Sequence, residues 1–140
     1  SLINRTYEIG MSEISMRENA GLLAYSPLGI GYLTGKYMNK QIPKNSRLDL
    51  FYENYPRYHN QRTYDAVESY YSIAKKYNLS FAQLALSFVN SRDFVTSNII
   101  GATKMDQLKE NVESINLSLD ENIINDINLV HENNPNPAPW

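Results

Sequence analysis

The sequence predicts an α/β fold whose parallel sheet is incomplete within its 140 residues. Two short apolar runs alternate with segments of helical spacing, which is the pattern of α/β proteins. The first run is continuous rather than alternating, which is typical of parallel strands covered on both faces. So few strands cannot cover all of the predicted helices or pair all of their own backbone groups. We therefore expect further strands outside this chain or from a second copy of it.

The first half of the chain predicts one helix, one strand and a long connection. Residues 12–19 have helical spacing, with Met11, Ile14 and Ser15 on one face. Residues 22–25 form an apolar run that Ser-Pro and Gly end, which predicts a strand buried on both faces. Residues 29–47 carry three glycines and four basic residues without periodicity. Connections of this length are usually functional or disordered.

The second half predicts four helices and a second buried strand. Residues 62–77 have a clean apolar stripe, made of Ala66, Tyr70, Ile73, Ala74 and Tyr77. Ser80 and Gln83 match a capping box at the start of the next helix, which buries Phe81, Leu84, Ala85 and Phe88.

The remaining predicted elements are a strand, two helices and a tail. The strand covers residues 97–100, and a helix over 104–115 is expected to bury Leu108, Val112 and Ile115. Ser118 and Glu121 match a second capping box. It precedes a last helix that carries Ile123, Ile124, Ile127 and Val130. Prolines keep the tail, residues 131–140, from being helical, so that it lies over a surface or hangs free. We expect one domain over residues 1–140.

Composition narrows the function classes. With a net charge of −2, the sequence has neither the excess of basic residues expected of a nucleic-acid-binding protein nor a polybasic patch that would bind a membrane surface. The sequence has no cysteine, which excludes a disulfide framework and a thiolate metal site. No apolar run is long enough to span a membrane and the start does not have the profile of a signal peptide, so we expect a cytoplasmic protein. The opening "SLINRTYEIG" has no initiator Met and is expected to be cut from a longer protein.

The sequence offers few candidate catalytic residues, whereas it has several features that are typical of binding sites. His59 and His131 are expected at the surface, and no metal-binding motif occurs. Gly101-Ala102-Thr103 lies between a strand and a helix, where free N–H groups attract phosphate. The alternative is that Thr103 and Asp106 form a capping box and nothing more.

Three other residues each allow a ligand-binding interpretation and a purely structural one. Lys36 and Arg47 lie in the long connection, where they either reach a phosphate or are simply solvated. Tyr25 stands at the carboxyl end of a strand, where it either contacts a ligand or packs in the core.

Three segments together carry a family resemblance. "LLAYSPLGIGYLTGKY", then "SR", then "GATKMDQLKEN" resemble the carboxyl-terminal half of the aldo-keto reductases. The resemblance is greatest to the bacterial-type reductases and the potassium-channel beta subunits, and it runs from "SLINR" to "NPAP". It implies the C-terminal portion of a (β/α)8 TIM barrel, a fold that needs about 250 residues. Residues 22–25 would be its seventh strand, 97–100 its eighth, and 118–131 an additional helix.

The resemblance also implies that the cofactor is NADP(H). Tyr25 would stack on the nicotinamide, and Lys36 and Arg47 would approach the 2′-phosphate that distinguishes NADP(H) from NAD(H). Thr103 would contact phosphate. The pyrophosphate loop would comprise Ser26, Pro27, Leu28, Gly29 and Gly31, and the adenosine would be held by Gln107, Glu110 and Asn111. Many family members have Arg at the position of Gln107, whereas the channel subunits have Gln.

The family's Asp, Tyr, Lys and His tetrad lies in the first half of the barrel, so no catalytic residue is expected in this chain. The resemblance implies that the full-length protein reduces aldehydes or ketones with NADPH and that this segment alone is inactive. Expected partners are a small carbonyl substrate, the missing N-terminal half of the barrel and, through self-association that covers the open sheet edges, a second copy. One alternative is an NADP-binding regulatory subunit of the channel-beta type. Another is an unrelated α/β binding module, whose sheet would have to be complete within this chain.

Overall fold

A computed structural model describes residues 1–139, and within them the chain forms six α-helices and two β-strands. The helices are α1 (Met11–Arg17), α2 (Arg47–Phe51), α3 (Gln61–Lys76), α4 (Phe81–Asn90), α5 (Met105–Glu113) and α6 (Glu121–Asn133). The strands are β1 (Leu22–Tyr25) and β2 (Val95–Ile99). This order confirms the predicted alternation of helices and strands. No helix in this part of the chain has the length and apolarity needed to cross a membrane.

The two strands pair in parallel, with Leu22 opposite Val95 and Tyr25 opposite Ile99. The prediction that both strands are buried on both faces is wrong for this chain, since Leu23, Tyr25 and Ile99 are exposed. One face of β2 contacts α4, where the Asn98 amide donates to Asn90 Oδ1 at 3.1 Å. Among residues 1–139, each strand has only the other as a neighbour, so the opposite face and the two outer edges stay uncovered.

The core lies where α3 packs against α4 and α6. The predicted stripe of α3 is confirmed at Ala66, Tyr70, Ile73 and Ala74, all of them buried, and Tyr77 is half-buried. All four predicted apolar residues of α4 are buried as well. The long connection after β1 contributes to the same core through Ile30, Tyr32, Leu33 and Tyr37. Burial in the core therefore orders much of this connection.

Helix α5 does not bury the residues predicted for it. Leu108, Val112 and Ile115 are exposed, Ile115 by 67%. Polar groups hold this segment to α4 instead. The Ser80 hydroxyl donates to the Glu110 carboxylate, and the Ser87 hydroxyl donates to the Ser114 carbonyl at 2.9 Å. The hydrogen-bonded face of α5 therefore turns toward α4 and its apolar face turns away from the fold.

Both histidines lie at the surface, as expected, but each side chain is partly buried. The His59 ring stacks on Tyr52 with centroids 3.8 Å apart, and its Nδ1 lies 3.0 Å from the Tyr32 hydroxyl. His131 is half-buried at the end of α6, and this burial lowers the pKa of its imidazole. The described residues contain no cluster of His, Cys, Asp and Glu that could hold a metal ion.

The described part of the tail lies over the surface. Helix α6 continues to Asn133, slightly beyond the predicted start of the tail, and residues 134–139 are not helical. The Ala138 N–H donates to the Ile3 carbonyl at 3.2 Å, and the Thr63 hydroxyl donates to the Pro137 carbonyl at 3.1 Å. The tail thus joins the start of the chain to α3. Trp140, which the tail prediction included, lies outside the described residues.

Two capping predictions have different outcomes. Ser80 caps α4, since its hydroxyl accepts from the Gln83 N–H at 3.5 Å. The prediction for Ser118 is wrong. Helix α6 begins at Glu121, and the Asp120 carboxylate accepts from the Ile123 N–H at 2.9 Å. Residues 118 and 120 both suit a cap, and only the one directly before the first helical residue can act as one.

Replacing Asp120 with Ala is expected to lower the free energy of unfolding by about 1 kcal/mol, because the Ile123 amide loses its acceptor. Ser118→Ala is the matched control, with an expected change of a few tenths of a kcal/mol. Urea unfolding followed by circular dichroism measures both. An equal loss in the two variants would contradict the assignment of the cap to Asp120.

Candidate functional site

Two connecting segments leave the sheet at the same edge. Tyr25 ends β1 and its pairing partner Ile99 ends β2, so residues 26–31 and 100–103 start side by side. In parallel sheets the carboxyl ends of neighbouring strands form the usual ligand site. We take this edge as the candidate site and call it the strand-end site.

Tyr25 is the aromatic residue of this edge. Its side chain is 56% exposed, whereas Ala24 before it is half-buried against the core. The alternative of core packing therefore does not describe Tyr25. A tyrosine ring in this position offers a flat apolar face to a planar ligand.

The segment after Tyr25 is tightly folded. Ser26, Gly29, Ile30 and Gly31 all have positive φ angles, of 54°, 52°, 54° and 108°. The Gly29 N–H donates to the Ser26 carbonyl and the Gly31 N–H donates to the Leu28 carbonyl, both at 2.9 Å. Pro27 and Gly29 are buried and Leu28 is half-buried. A Cβ atom added at Gly29 would come within 2.7 Å of Ile3 Cδ1.

Lys36 folds back over this loop. A Cβ atom at Gly31 would lie 2.5 Å from Lys36 Cε and 2.7 Å from its Nζ, so the lysine side chain in this position occupies the space that a side chain at residue 31 would need. The Nζ atom is 5.0 Å from the centroid of the Tyr37 ring, which is within the range of a cation–π contact. The structure therefore brings Lys36 to the loop, as the site prediction requires.

Arg47 is exposed and is the first residue of α2 rather than the end of a loop. Ser46 caps this helix by accepting from the Asp49 N–H at 3.3 Å. The next amide, that of Leu48, donates to the Tyr37 hydroxyl at 3.4 Å. Tyr37 thus contacts Lys36 through its ring and the start of α2 through its hydroxyl.

The second segment, residues 100–103, leads into α5 without a capping box. The N-cap residue of α5 is Lys104, whose side chain makes no capping hydrogen bond. Thr103 instead bonds to Gln107, whose Oε1 accepts from the Thr103 N–H at 3.2 Å and from its hydroxyl at 3.3 Å. A Cβ atom at Gly101 would find no other atom within 4 Å, so there is open space beside this turn.

The other two predicted adenosine residues are engaged within the fold. Glu110 is half-buried and accepts from the Ser80 hydroxyl. Asn111 is only 5% exposed, and its carbonyl accepts from the Ser114 hydroxyl at 2.6 Å. The residues that sequence reasoning missed are Ser80 and Tyr37. The sequence pattern identified Ser80 only as a helix cap. Nothing in the pattern pointed to Tyr37 except that it follows Lys36.

This arrangement suits binding more than proton transfer. A tightly folded loop, an exposed aromatic face and nearby Lys36 fit a nucleotide with phosphates and a planar ring. Next to the loop, burial raises the pKa of the Tyr58 phenol, and its oxygen accepts from Arg57 Nη2 at 2.7 Å. That phenol stays protonated at neutral pH. It is not poised to act as a general acid or base there.

Known proteins of one family are similar to this chain in sequence and in structure. A sequence model of the Aldo/keto reductase family matches residues 1–132. The chain is 47% identical over 139 residues to Protein tas of Escherichia coli K12, covering 99% of this chain and 40% of that protein. It is 33% identical over 121 residues to L-glyceraldehyde 3-phosphate reductase of the same strain, covering 83% of this chain and 35% of that protein.

Two further relatives complete the comparison. A probable voltage-gated potassium channel subunit beta of Oryza sativa is 36% identical over 121 residues, with 82% of this chain and 36% of that protein covered. The glycerol dehydrogenase of Gluconobacter oxydans has a similar structure, with a TM-score of 0.74 at 24% identity over 96% of this chain and 41% of that one. The predicted fold, the C-terminal portion of a (β/α)8 barrel, is confirmed. The chain spans less than half the length of these relatives.

Proposed function

Because this chain belongs to the aldo/keto reductase family, we propose that it is the NADP(H)-binding portion of a reductase that acts on aldehydes or ketones. One observation carries the proposal: Tyr25 and Ile99 end paired strands, so the glycine-rich loop and the turn before α5 meet at one edge. One segment can therefore hold the nicotinamide end of the cofactor while the other holds the adenosine end. A cytoplasmic location is part of the proposal and rests on the composition.

Each part of the cofactor has residues that suit it. NADPH, when bound, supplies the hydride. Tyr25 offers a ring face to the nicotinamide, and the backbone of residues 26–31 follows the pyrophosphate. Lys36 and Arg47 bring two positive charges to the 2′-phosphate, a group that NADH lacks. Thr103 contacts phosphate and Gln107 contacts the adenosine, while Glu110, bonded to Ser80, and the buried Asn111 shape the segment that carries Gln107.

The proton donor would come from outside this chain. The hydroxyl of Tyr58 is engaged by Arg57 and burial raises its pKa, so it does not compete for that role. We propose that the Asp, Tyr, Lys and His tetrad lies upstream in the complete protein, where the rest of the barrel would also cover Leu23 and Ile99.

A regulatory role of the channel-beta kind is the second candidate. It is favoured by Gln107, which stands where channel subunits have Gln, and by the 36% identity to the rice protein. A complete tetrad upstream supports the reductase, whereas a substituted Tyr or Lys supports the regulator.

The test is made on the protein encoded by the complete reading frame. NADPH and NADH are titrated separately by quenching of protein fluorescence, and oxidation of NADPH is followed with a small aromatic aldehyde. NADPH is expected to bind more tightly than NADH, and Lys36→Met to weaken NADPH binding roughly tenfold or more with NADH unchanged. Binding of neither cofactor, or equal binding of both with no effect of Lys36→Met, would overturn the proposal.

A further inference from the structure

We propose that Tyr37 is a positioning residue that sets the spacing between Lys36 and Arg47 and thereby determines the preference for NADPH over NADH. This inference rests on the proposed function, since it concerns the two cationic side chains assigned to the 2′-phosphate. Tyr37 itself would touch no part of the cofactor. It would act through the residues that do.

The first contact that supports this role is with Lys36. The Lys36 ammonium lies over the Tyr37 ring, 5.0 Å from its centroid. Gly31 lies below both side chains, and a Cβ atom there would be 3.3 Å from Tyr37 Cε2. The ring therefore forms one wall of the space in which the lysine side chain rests. It directs the ammonium group toward the loop of residues 26–31.

The second contact is with the start of α2. The Leu48 N–H donates to the Tyr37 hydroxyl at 3.4 Å, and the Asp49 N–H donates to the Ser46 hydroxyl at 3.3 Å. These two acceptors satisfy successive free amides of the first turn. Arg47 is the residue between Ser46 and Leu48. The direction in which its side chain points therefore depends on the Tyr37 bond and the Ser46 bond together. Without the Tyr37 hydroxyl, the Leu48 amide loses its acceptor, and the helix start keeps the Ser46 cap and the bond from the Asn45 N–H to Asp49 Oδ2 at 2.8 Å.

Tyr37 is rigid enough to serve as a spacer. Its side chain is 3% exposed, and the Tyr32 ring packs against it edge-on with centroids 5.3 Å apart. One fixed side chain thus joins two basic residues that are eleven positions apart in the sequence. A phosphate dianion gains from two cations only if both reach it at once. NADH has no 2′-phosphate, so its binding should not depend on this spacing.

The experiment uses the complete protein and the variant Tyr37→Phe, which keeps the ring under Lys36 and removes the hydroxyl. The dissociation constant for NADPH is expected to rise about three- to tenfold, the range for one lost hydrogen bond, while that for NADH stays within twofold. In an Arg47→Gln background the same substitution is expected to have no further effect on NADPH, because the spacing then has no second cation to place.

Tyr70→Phe is the matched control. Tyr70 is also fully buried, and its hydroxyl has no hydrogen-bond partner within residues 1–139. Its removal is expected to change neither dissociation constant. Thermal unfolding of all variants separates a change in binding from a loss of folded protein.

The outcomes separate this inference from the proposed function. If the unchanged protein prefers NADPH but Tyr37→Phe leaves that preference intact, the role of Tyr37 is refuted and the proposed function stands. Equal weakening of NADPH and NADH binding would show that Tyr37 is structural only and would also refute its role. If the unchanged protein binds neither cofactor, the proposed function fails and this inference fails with it.

Discussion

Purified residues 1–140 are expected to give no NADPH-dependent carbonyl reduction and to bind NADPH weakly. The two strands have no other neighbours among the described residues, and Leu23 and Tyr25 on one face of the sheet are 60% and 56% exposed. A nicotinamide resting on Tyr25 would be open to water. The phenol beside the loop, that of Tyr58, is held protonated by burial, and the tetrad is proposed to lie outside this chain. Loss of general acid catalysis costs about a hundredfold or more in rate, and loss of the enclosing wall adds to it.

The measurement is NADPH oxidation in the presence of an aromatic aldehyde, with the product of the complete reading frame as the positive control. A binding titration is run on the same samples. Turnover by residues 1–140 at a rate comparable with the complete protein would show that this chain holds a full catalytic site. That result would refute the proposal that the proton donor and the enclosing wall lie outside this chain.

Gly31→Ala in the complete protein is expected to weaken NADPH binding roughly ten- to hundredfold. The φ angle of 108° is one that L-residues rarely adopt, which costs about 1–3 kcal/mol. The added methyl group would also lie 2.5 Å from Lys36 Cε and displace the lysine from the loop. The substitution thus strains the loop and moves a cation away from the phosphate.

Gly35→Ala is the control for backbone strain. Gly35 also has a positive φ, of 81°, but the nearest atom to an added Cβ is Tyr71 Cε2 at an ordinary 3.5 Å. It should lower the thermal unfolding temperature without changing the dissociation constant of NADPH beyond about twofold. If the two variants weaken NADPH binding equally, displacement of Lys36 does not explain the effect of Gly31→Ala.

The elements that sequence reasoning placed well are those whose neighbours lie in the same chain. The apolar stripe of α3 and the residues of α4 bury one another, so their periodicity was enough to predict their inner faces. Helix α5 has an equally clear stripe at Leu108 and Val112, but the surface that would cover it is not within the described residues. Periodicity identifies an apolar face and cannot show what lies opposite to it.

The candidate site shows a similar division. Tyr25, Lys36 and Thr103 were predicted from short motifs, because strand ends and glycine-rich turns have local signatures. The roles of Tyr37 and Ser80 depend on contacts with Leu48 and Glu110, residues distant in the sequence. Such pairings follow from the packed fold, and a single sequence does not reveal them. The capping error at Ser118 arose because two suitable residues, Ser118 and Asp120, stand two positions apart.

The parallel pairing of β1 with β2 also has a consequence for the order of folding. The paired residues are roughly 70 positions apart, so closing this loop in an unfolded chain costs about 4 kcal/mol of entropy by a flexible-chain estimate. Helices α3 and α4 lie between the strands and pack against each other, so they can form first and bring the strand ends together. The edge that holds the strand-end site is thus expected to form late. It depends on long-range contacts, and it should be among the first parts of the fold to open.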